Sequence, residues 1–207
     1  MRRLLSILLV ASALAACTQQ NNQAAVEESA ATPGPTSWVL NSDGSGLYFL
    51  TIKAEHILET NSFTSLSGSA NTANATVSID LSSVDTAVEL RDERMLEFLF
   101  EVASFATANI TADLTGLNLA DLSVGESVTT ELGFNINLHG VSSDMTSAVQ
   151  LTQLSDGSLR VQTTSPINLS AGDFSLVDGV NKLRELAGLP SISYAVPVTF
   201  NLLFNPE

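Results

Sequence analysis

The sequence predicts a mostly β-stranded domain, folded as an antiparallel barrel or sandwich, behind a short export signal. Apolar residues alternate with polar ones over several short segments, and turn-forming residues separate these segments. Residues 38–207 are long enough to form one domain with a sizeable core. We therefore expect a signal peptide at residues 1–16, a lipidated cysteine with a linker at residues 17–37, and a β domain at residues 38–207.

The N-terminus has the pattern of a bacterial lipoprotein signal. Arg2 and Arg3 form a positive start, Leu4–Ala13 is apolar, and small residues lead to Cys17. The apolar run is too short for a mature helix across a bilayer, which takes about 20 residues. We expect the mature chain to begin at an acylated Cys17 and to lie on the periplasmic side of the cell envelope. Thr18, rather than an acidic residue, follows the cysteine and favours the outer membrane where one exists.

The alternative for the N-terminus is an ordinary secretory signal in which the cysteine is incidental. Cys17 is the chain's only cysteine, and acylation explains why it has no disulfide partner. The next segment, Thr18–Ser37, is polar and contains too little apolar surface to offset the entropy of ordering. We therefore expect a linker between the lipid and the domain.

The charge of the chain excludes nucleic acid as a partner. The sequence has 22 acidic and eight basic residues, and two of the basic ones, Arg2 and Arg3, would leave with the signal. An acidic surface repels phosphate backbones within a Debye length of about 8 Å at physiological salt.

Two long strands are predicted from a two-residue period with one apolar face, at Val128–Leu138 and Val196–Phe204. Weaker copies of the pattern occur at residues 48–52, 77–81, 149–151 and 159–163. Turns are predicted at Asn41–Gly44, His139-Gly140 and Asp156-Gly157, the last with a sequence suited to a type I′ hairpin.

Two segments break the alternation and predict short helical insertions. Leu90–Phe100 places apolar and charged residues at helical spacings. Asp178–Ala187 has an apolar stripe, Asp178 is available as its N-cap, and Gly188 can end it.

Several short motifs stand in a recognisable order along Trp38–Phe204. The central ones are Ser78–Thr86, Glu89–Glu93 and Leu99–Phe105. The others are Trp38-Val39-Leu40 with Asp43 and Lys53, Phe63 with Gly68, Leu138–Val141, and Asp173-Phe174. This order resembles the YceI-like family.

The resemblance implies a lipocalin-like, eight-stranded antiparallel barrel whose interior holds a long isoprenoid chain. It also implies export and the lack of a catalytic site. The chain departs from the family pattern at Asp43–Ser45, where the family has His-Ser, and at Ala106, where it has proline. The segment Gly179–Pro190 looks like a helical insertion before the last strand.

A barrel of about eight strands can enclose one slender ligand, and alternating strands supply its apolar lining. Periodicity does not distinguish this hollow barrel from a solid core filled by the same side chains. The residues expected to line a ligand tunnel are Tyr48, Leu50, Ile52, Ile79, Phe134, Ile136, Leu138, Val198, Phe200 and Leu202.

Lys53, Arg91 and Asp92 are candidates for a polar gate at the mouth of this tunnel, where Arg91 would meet a ligand headgroup. The other interpretation is a cluster of solvated ion pairs at a helix start, with Arg91 and Asp92 as a structural pair and Lys53 as a surface residue.

The sequence offers few groups for catalysis. It has two histidines, His56 and His139, no spacing typical of metal ligands, and no Gly-x-Ser-x-Gly nucleophile motif. Asp144 is the residue that would orient His139. We expect no metal, no cofactor and no enzymatic activity; an enzyme would need Asp92, Glu93 or His139 at a cleft.

The function predicted from these observations is a membrane-tethered barrel that binds and stores or carries an isoprenoid-type amphiphile. Its partners would be a long-chain lipid and, through Cys17, the membrane. A filled barrel that serves as an interaction scaffold stays open as the alternative. An exposed apolar mouth would favour the pairing of two copies.

Overall fold

The computed structural model describes residues 34–117, 119 and 122–207. The signal, Cys17 and the linker up to residue 33 therefore lie outside the described residues. The strands are β1 (Ser37–Lys53), β2 (Ile57–Phe63), β3 (Leu66–Asn71), β4 (Asn74–Asp80), β5 (Val84–Asp85), β6 (Thr107–Asp113), β7 (Ser127–Leu138), β8 (Val141–Gln153), β9 (Leu159–Thr163), β10 (Ile167–Ser170) and β11 (Ala195–Pro206). The helices are α1 (Glu89–Phe98) and α2 (Val177–Leu186), with 3-10 turns at Leu81–Ser83 and Ala171–Phe174.

Eight of these strands form a closed antiparallel ring in the order β1, β3, β4, β6, β7, β8, β9, β11. Pairing of β11 with β1, from Trp38 opposite Pro206 to Phe49 opposite Val198, closes the ring. The remaining strands extend the ring: β2 pairs with β1, β10 pairs with β11, and β5 pairs with β2. The prediction of an eight-stranded antiparallel barrel with two short helices is confirmed.

The strand ends divide the loops between two ends of the barrel. The N-terminus of β1, the C-terminus of β11 and the loops β3–β4, β6–β7 and β8–β9 share one end, because neighbouring strands run antiparallel. We call this the floor end. The β1–β2 hairpin, the β7–β8 turn, and the segments that carry α1 and α2 share the other, which we call the mouth end.

Turn chemistry agrees with the sequence at the β7–β8 turn but differs at the β8–β9 turn. His139 and Gly140 both have positive φ, 53° and 75°, as a type I′ turn requires. At Asp156-Gly157 only the glycine has positive φ, so the prediction of a type I′ turn there was wrong. The Asp156 carboxylate instead accepts a hydrogen bond from the Ser158 backbone N–H at 2.9 Å and holds the turn in another form.

The turn predicted at Asn41–Gly44 is an irregularity within β1. Asn41 pairs with Leu203, but the next paired residue, Gly46, lies opposite Asn201. Within this stretch the Asn41 side-chain oxygen accepts a hydrogen bond from the Gly44 N–H at 3.0 Å. Because β1 here has an odd number of additional residues, the buried positions change phase along the strand, as β-bulges allow.

Both predicted helices are present, with ends shifted by one or two residues. Asp178 is not the N-cap of α2, as we expected; Leu176 occupies that position and Asp178 lies in the first turn, where a carboxylate favours the helix dipole. Gly188 has a φ of 63° just past the end of α2, as expected of a helix-terminating glycine. A Cβ at Gly179 would lie 2.6 Å from the Phe98 carbonyl oxygen, so this glycine lets α2 approach α1 closely.

No helix in the described part of the chain is both long and apolar enough to cross a membrane.

Candidate functional site

The barrel encloses a cavity of about 520 Å³. Inward-facing residues of every barrel strand form its wall, so the apolar alternation of the sequence becomes an apolar interior. The strand residues on this wall include Leu47, Phe49, Ala70, Val77, Ile79, Ala108, Ile110, Ala112, Leu132, Phe134, Ile136, Leu138, Val149, Leu151, Leu159, Val161, Val198, Phe200, Leu202 and Phe204. The interior is therefore hollow rather than filled by the same side chains.

Seven of the ten side chains predicted to line a tunnel lie on this wall. They are Ile79, Phe134, Ile136, Leu138, Val198, Phe200 and Leu202. Their contact with a ligand stays a prediction.

The three predicted lining residues on β1, Tyr48, Leu50 and Ile52, are not on the wall. Tyr48 is 47% exposed, whereas Leu47 and Phe49 are buried. Apolar residues occupy both phases of this strand, so alternation did not identify the inner one. The irregularity between Asn41 and Gly46 determines the phase, because Trp38 and Leu40 point inward before it and Leu47 and Phe49 after it.

Apolar side chains pack at the floor end of the barrel. Trp38 is 1% exposed, and its indole N–H donates a hydrogen bond to the Gly157 carbonyl oxygen at 2.9 Å. Leu114 and Leu119, from the β6–β7 connection, form part of the cavity wall there. Buried apolar side chains thus pack at the end of the barrel where the described chain begins.

The two helical segments cover part of the mouth end. Met95 and Leu99 from the α1 segment and Val180 and Leu183 from α2 contribute to the wall. Arg94 also lines the cavity and donates a hydrogen bond to the Leu186 carbonyl oxygen at 3.3 Å, which links α1 to the end of α2. Amphipathic packing of this kind buries one face of each helix against the interior.

A charged cluster lies on the wall at the mouth end, and we call it the mouth cluster: Lys53, Glu59, Arg91 and Arg94. The Glu59 carboxylate accepts hydrogen bonds from Lys53 Nζ at 2.9 Å and from an Arg91 terminal nitrogen at 2.6 Å. The hydrogen bond from Lys53 and the positive charge of Arg91 lower the pKa of Glu59 below its ordinary value of 4.5, against the opposing effect of burial. Glu59 is therefore ionised at neutral pH and bridges two cations.

Sequence reasoning missed Glu59. The signal was present in the β1–β2 hairpin, where Thr51 lies opposite Glu59 and Lys53 lies opposite Ile57. Cross-strand neighbours share one face of a sheet, so the inner phase of β1 also places Glu59 inside. The prediction assigned the opposite phase to β1, and this error hid the ion pair between Lys53 and Glu59.

Of the three residues predicted to form a polar gate, Lys53 and Arg91 belong to the mouth cluster but Asp92 does not. Asp92 accepts hydrogen bonds from the Thr86 N–H at 3.1 Å and from the Thr86 hydroxyl. It thereby holds the turn that leads into α1. Arg91 also donates to the Thr86 carbonyl oxygen at 2.6 Å, so the guanidinium has a structural contact as well as its place on the wall.

The candidate catalytic side chains are not brought together. His139 Nε2 lies 2.8 Å from a Glu101 carboxylate oxygen, and its ring packs against Phe105. Asp144, expected to orient His139, instead accepts a hydrogen bond from the Asn135 amide at 2.8 Å. Glu93 is exposed, and neither it nor His139 is on the cavity wall. Among the described residues, no group of three or more acidic, histidine or cysteine side chains is arranged to hold a metal ion.

Comparison with solved structures finds the same architecture in other proteins. A polyisoprenoid-binding domain from Saccharophagus degradans, implicated in plant cell wall breakdown, is 36% identical, with a TM-score of 0.80. The match covers 84% of this chain and 99% of that domain. BcnA from Burkholderia cenocepacia is 14% identical with a TM-score of 0.61, and the match covers 79% of this chain and 98% of BcnA.

A YceI protein from Campylobacter jejuni shares the fold at 13% identity and a TM-score of 0.51, with 71% of this chain and 84% of that protein covered. No curated protein sequence gives a significant match. The family of YceI-like domains matches residues 38–204, which include all of the barrel strands except the first residue of β1 and the last two of β11. The resemblance noted in the sequence is confirmed, and the chain belongs to the family of YceI-like domains.

Proposed function

We propose that this protein binds a long apolar lipid of the isoprenoid type inside its barrel, and stores or carries it in the cell envelope. The observation that carries the proposal is the apolar cavity of about 520 Å³, whose wall carries charged residues at the mouth end. Its volume lies within the range of about 300 to 1,000 Å³ typical of small-molecule sites. The polyisoprenoid-binding domain of S. degradans, at 36% identity, supports the choice of ligand class.

The binding energy would come from burial of the lipid chain. Each methylene that moves from water into an apolar site contributes about 0.8 kcal/mol, and apolar area about 25 cal/mol per Å². The wall supplies few polar groups to orient a compact polar ligand; its charged side chains are confined to the mouth cluster. This arrangement favours an elongated amphiphile with its polar end at the mouth.

The cavity disfavours the alternative of a filled scaffold. A scaffold gains stability when its own side chains pack the interior to the density of an organic crystal, and side chains that surround a cavity of this size do not pack in that way. Catalysis is disfavoured because His139, Asp92 and Glu93 are separated from the cavity and serve other contacts or face solvent.

We further propose that acylation of Cys17 tethers the protein to a membrane, with the outer membrane favoured where one exists. The support is the sequence pattern that ends at Cys17. Mass spectrometry of the N-terminal peptide from the envelope fraction tests it: an acylated Cys17 supports the tether, and an unmodified cysteine inside a longer N-terminal peptide contradicts it.

Pairing of two copies also stays a prediction. Val88 and Leu90 line the cavity and are 49% and 54% exposed, and light scattering of the purified protein would test for a dimer.

The direct test of lipid binding is extraction and mass spectrometry of the full chain purified from bacteria. We expect a stoichiometric long-chain lipid in the wild-type protein and its loss from Ile136→Trp, since Ile136 is on the wall. Glu131→Trp is the matched control, because Glu131 is exposed on the same strand and should retain the lipid. A folded wild-type protein that carries no lipid and takes up no added isoprenoid would contradict the proposal.

A further inference from the structure

Basic residues are concentrated at the cavity of an acidic protein. The chain has eight basic residues and a formal net charge of −14, yet three of the basic residues, Lys53, Arg91 and Arg94, lie on one cavity wall. Glu59 is the single acidic side chain among the wall residues that the structure describes. The mouth cluster therefore has an excess of two positive charges.

Charges placed beside an apolar wall need partners, because burial without a partner is costly. Glu59 serves two of the three cations and is already bound to both. Arg91 uses its terminal nitrogens on Glu59 and the Thr86 carbonyl, while its buried Nε has no hydrogen-bond partner among the described residues. Arg94 donates to one backbone carbonyl and forms no ion pair with a carboxylate in the part of the chain that the structure describes.

We propose that the mouth cluster binds the anionic headgroup, a phosphate or a carboxylate, of an amphiphile whose apolar chain occupies the cavity. This inference rests on the proposed function and specifies the class of lipid. An oxyanion accepts the charge-assisted hydrogen bonds that Arg and Lys donate, and a guanidinium fits it especially well. The acidic surface elsewhere opposes an anion at long range, but its effect is screened beyond about 8 Å, so the cations at the mouth dominate locally.

The test is isothermal titration calorimetry of the delipidated full chain with farnesyl phosphate and farnesol, which share one isoprenoid chain and differ in the phosphate. We expect farnesyl phosphate to bind about tenfold more tightly, the difference that one or two charge-assisted hydrogen bonds supply. Inorganic phosphate is the third ligand, and it should bind far more weakly than farnesyl phosphate because it lacks the apolar chain.

Two variants should change the affinity in opposite directions. Lys53→Gln removes a cation and should weaken farnesyl phosphate binding about fivefold, with a smaller effect on farnesol. Glu59→Gln removes the competing anion and should strengthen farnesyl phosphate binding by a similar factor. Arg160→Gln is the control, because Arg160 is bonded to Asn201 and is not on the cavity wall. Structural damage would weaken binding in both mouth variants, so the opposite signs separate electrostatics from misfolding.

Each failure has a distinct meaning. A wild-type protein that binds neither isoprenoid overturns the proposed function and this inference together. Equal affinities for farnesol and farnesyl phosphate, with no effect of either variant, overturn the anionic headgroup and leave lipid binding in place. Inorganic phosphate that binds as tightly as farnesyl phosphate overturns the lipid as the source of the anion.

Discussion

Gly68 should be among the least replaceable positions of the barrel. It lies on β3 opposite Val77 of β4, and a Cβ added there would stand 2.2 Å from the Thr76 carbonyl oxygen and 3.1 Å from the Val77 Cα. Both neighbours are backbone atoms of a hydrogen-bonded strand, so they cannot move aside as a flexible side chain does. Gly68→Ala must therefore displace β4 or bend β3, and overpacking of this kind costs about 1 to 3 kcal/mol.

Gly133 provides the matched control on another strand of the same barrel. A Cβ at Gly133 of β7 would meet no atom within 4 Å. Gly133→Ala should leave the folded state unstrained and stabilise the protein by about 0.4 to 1 kcal/mol, because alanine lowers the entropy of the unfolded chain. The same chemical change is thus expected to act with opposite sign at two strand positions.

Urea unfolding followed by the fluorescence of Trp38 measures both effects. Trp38 is the chain's single tryptophan and is buried at the floor end, so its emission reports the loss of barrel packing. The midpoint should fall for Gly68→Ala and rise for Gly133→Ala, with little change in the slope. A Gly68→Ala protein as stable as wild type would refute the reasoning, because the close approach of β3 and β4 would then not constrain the residue.

Three further predictions concern single contacts. Because the pKa of Glu59 is lowered in the folded state, its carboxylate contributes stability that is full above pH about 4.5 and is lost as the pH falls through the folded pKa. The denaturant midpoints of wild type and Glu59→Gln should therefore converge at low pH. A difference between these midpoints that stays constant down to pH 3 would contradict the bridge. Asp92→Ala leaves the buried Thr86 N–H unpaired and should lower the free energy of urea unfolding by about 1 to 3 kcal/mol. Asp92→Asn keeps an acceptor oxygen and should lower it less. Equal losses of stability in the two variants would argue against the hydrogen bond. Trp38→Phe removes the donor to the Gly157 carbonyl and should lower stability by about 1 kcal/mol by circular dichroism, in addition to the lost packing area; an unchanged melting temperature would show that water replaces the indole.

The barrel could be predicted from sequence where one face of a strand is apolar and the other polar. In β7 the even-numbered positions from Leu132 to Leu138 are apolar and line the cavity, so alternation identified both the strand and its inner face. The β7–β8 turn followed from His139-Gly140, since glycine accepts positive φ without strain.

Prediction failed where local patterns leave two solutions. Residues 47–52 are apolar in both phases except at Thr51, and the inner face depends on an irregularity in the pairing of β1 with β11, a long-range feature. The mouth cluster suffered from the same error, because Glu59 reaches Lys53 and Arg91 only when β1 and β2 turn the correct face inward. Asp156-Gly157 illustrates a second cause, since one dipeptide is compatible with several turns and the carboxylate bond to Ser158 decides among them.

The pairing of β1 with β11 joins the first strand of the barrel to the last. Closing a loop of this length costs more entropy than forming the local hairpin β7–β8, and folds dominated by such distant contacts form slowly. In a nascent chain that lacks β11, β1 and β9 each lack one of their two neighbours in the ring. The barrel therefore cannot close before β11 has been synthesised, and any cavity for a ligand exists only after that strand has paired with β1 and β9.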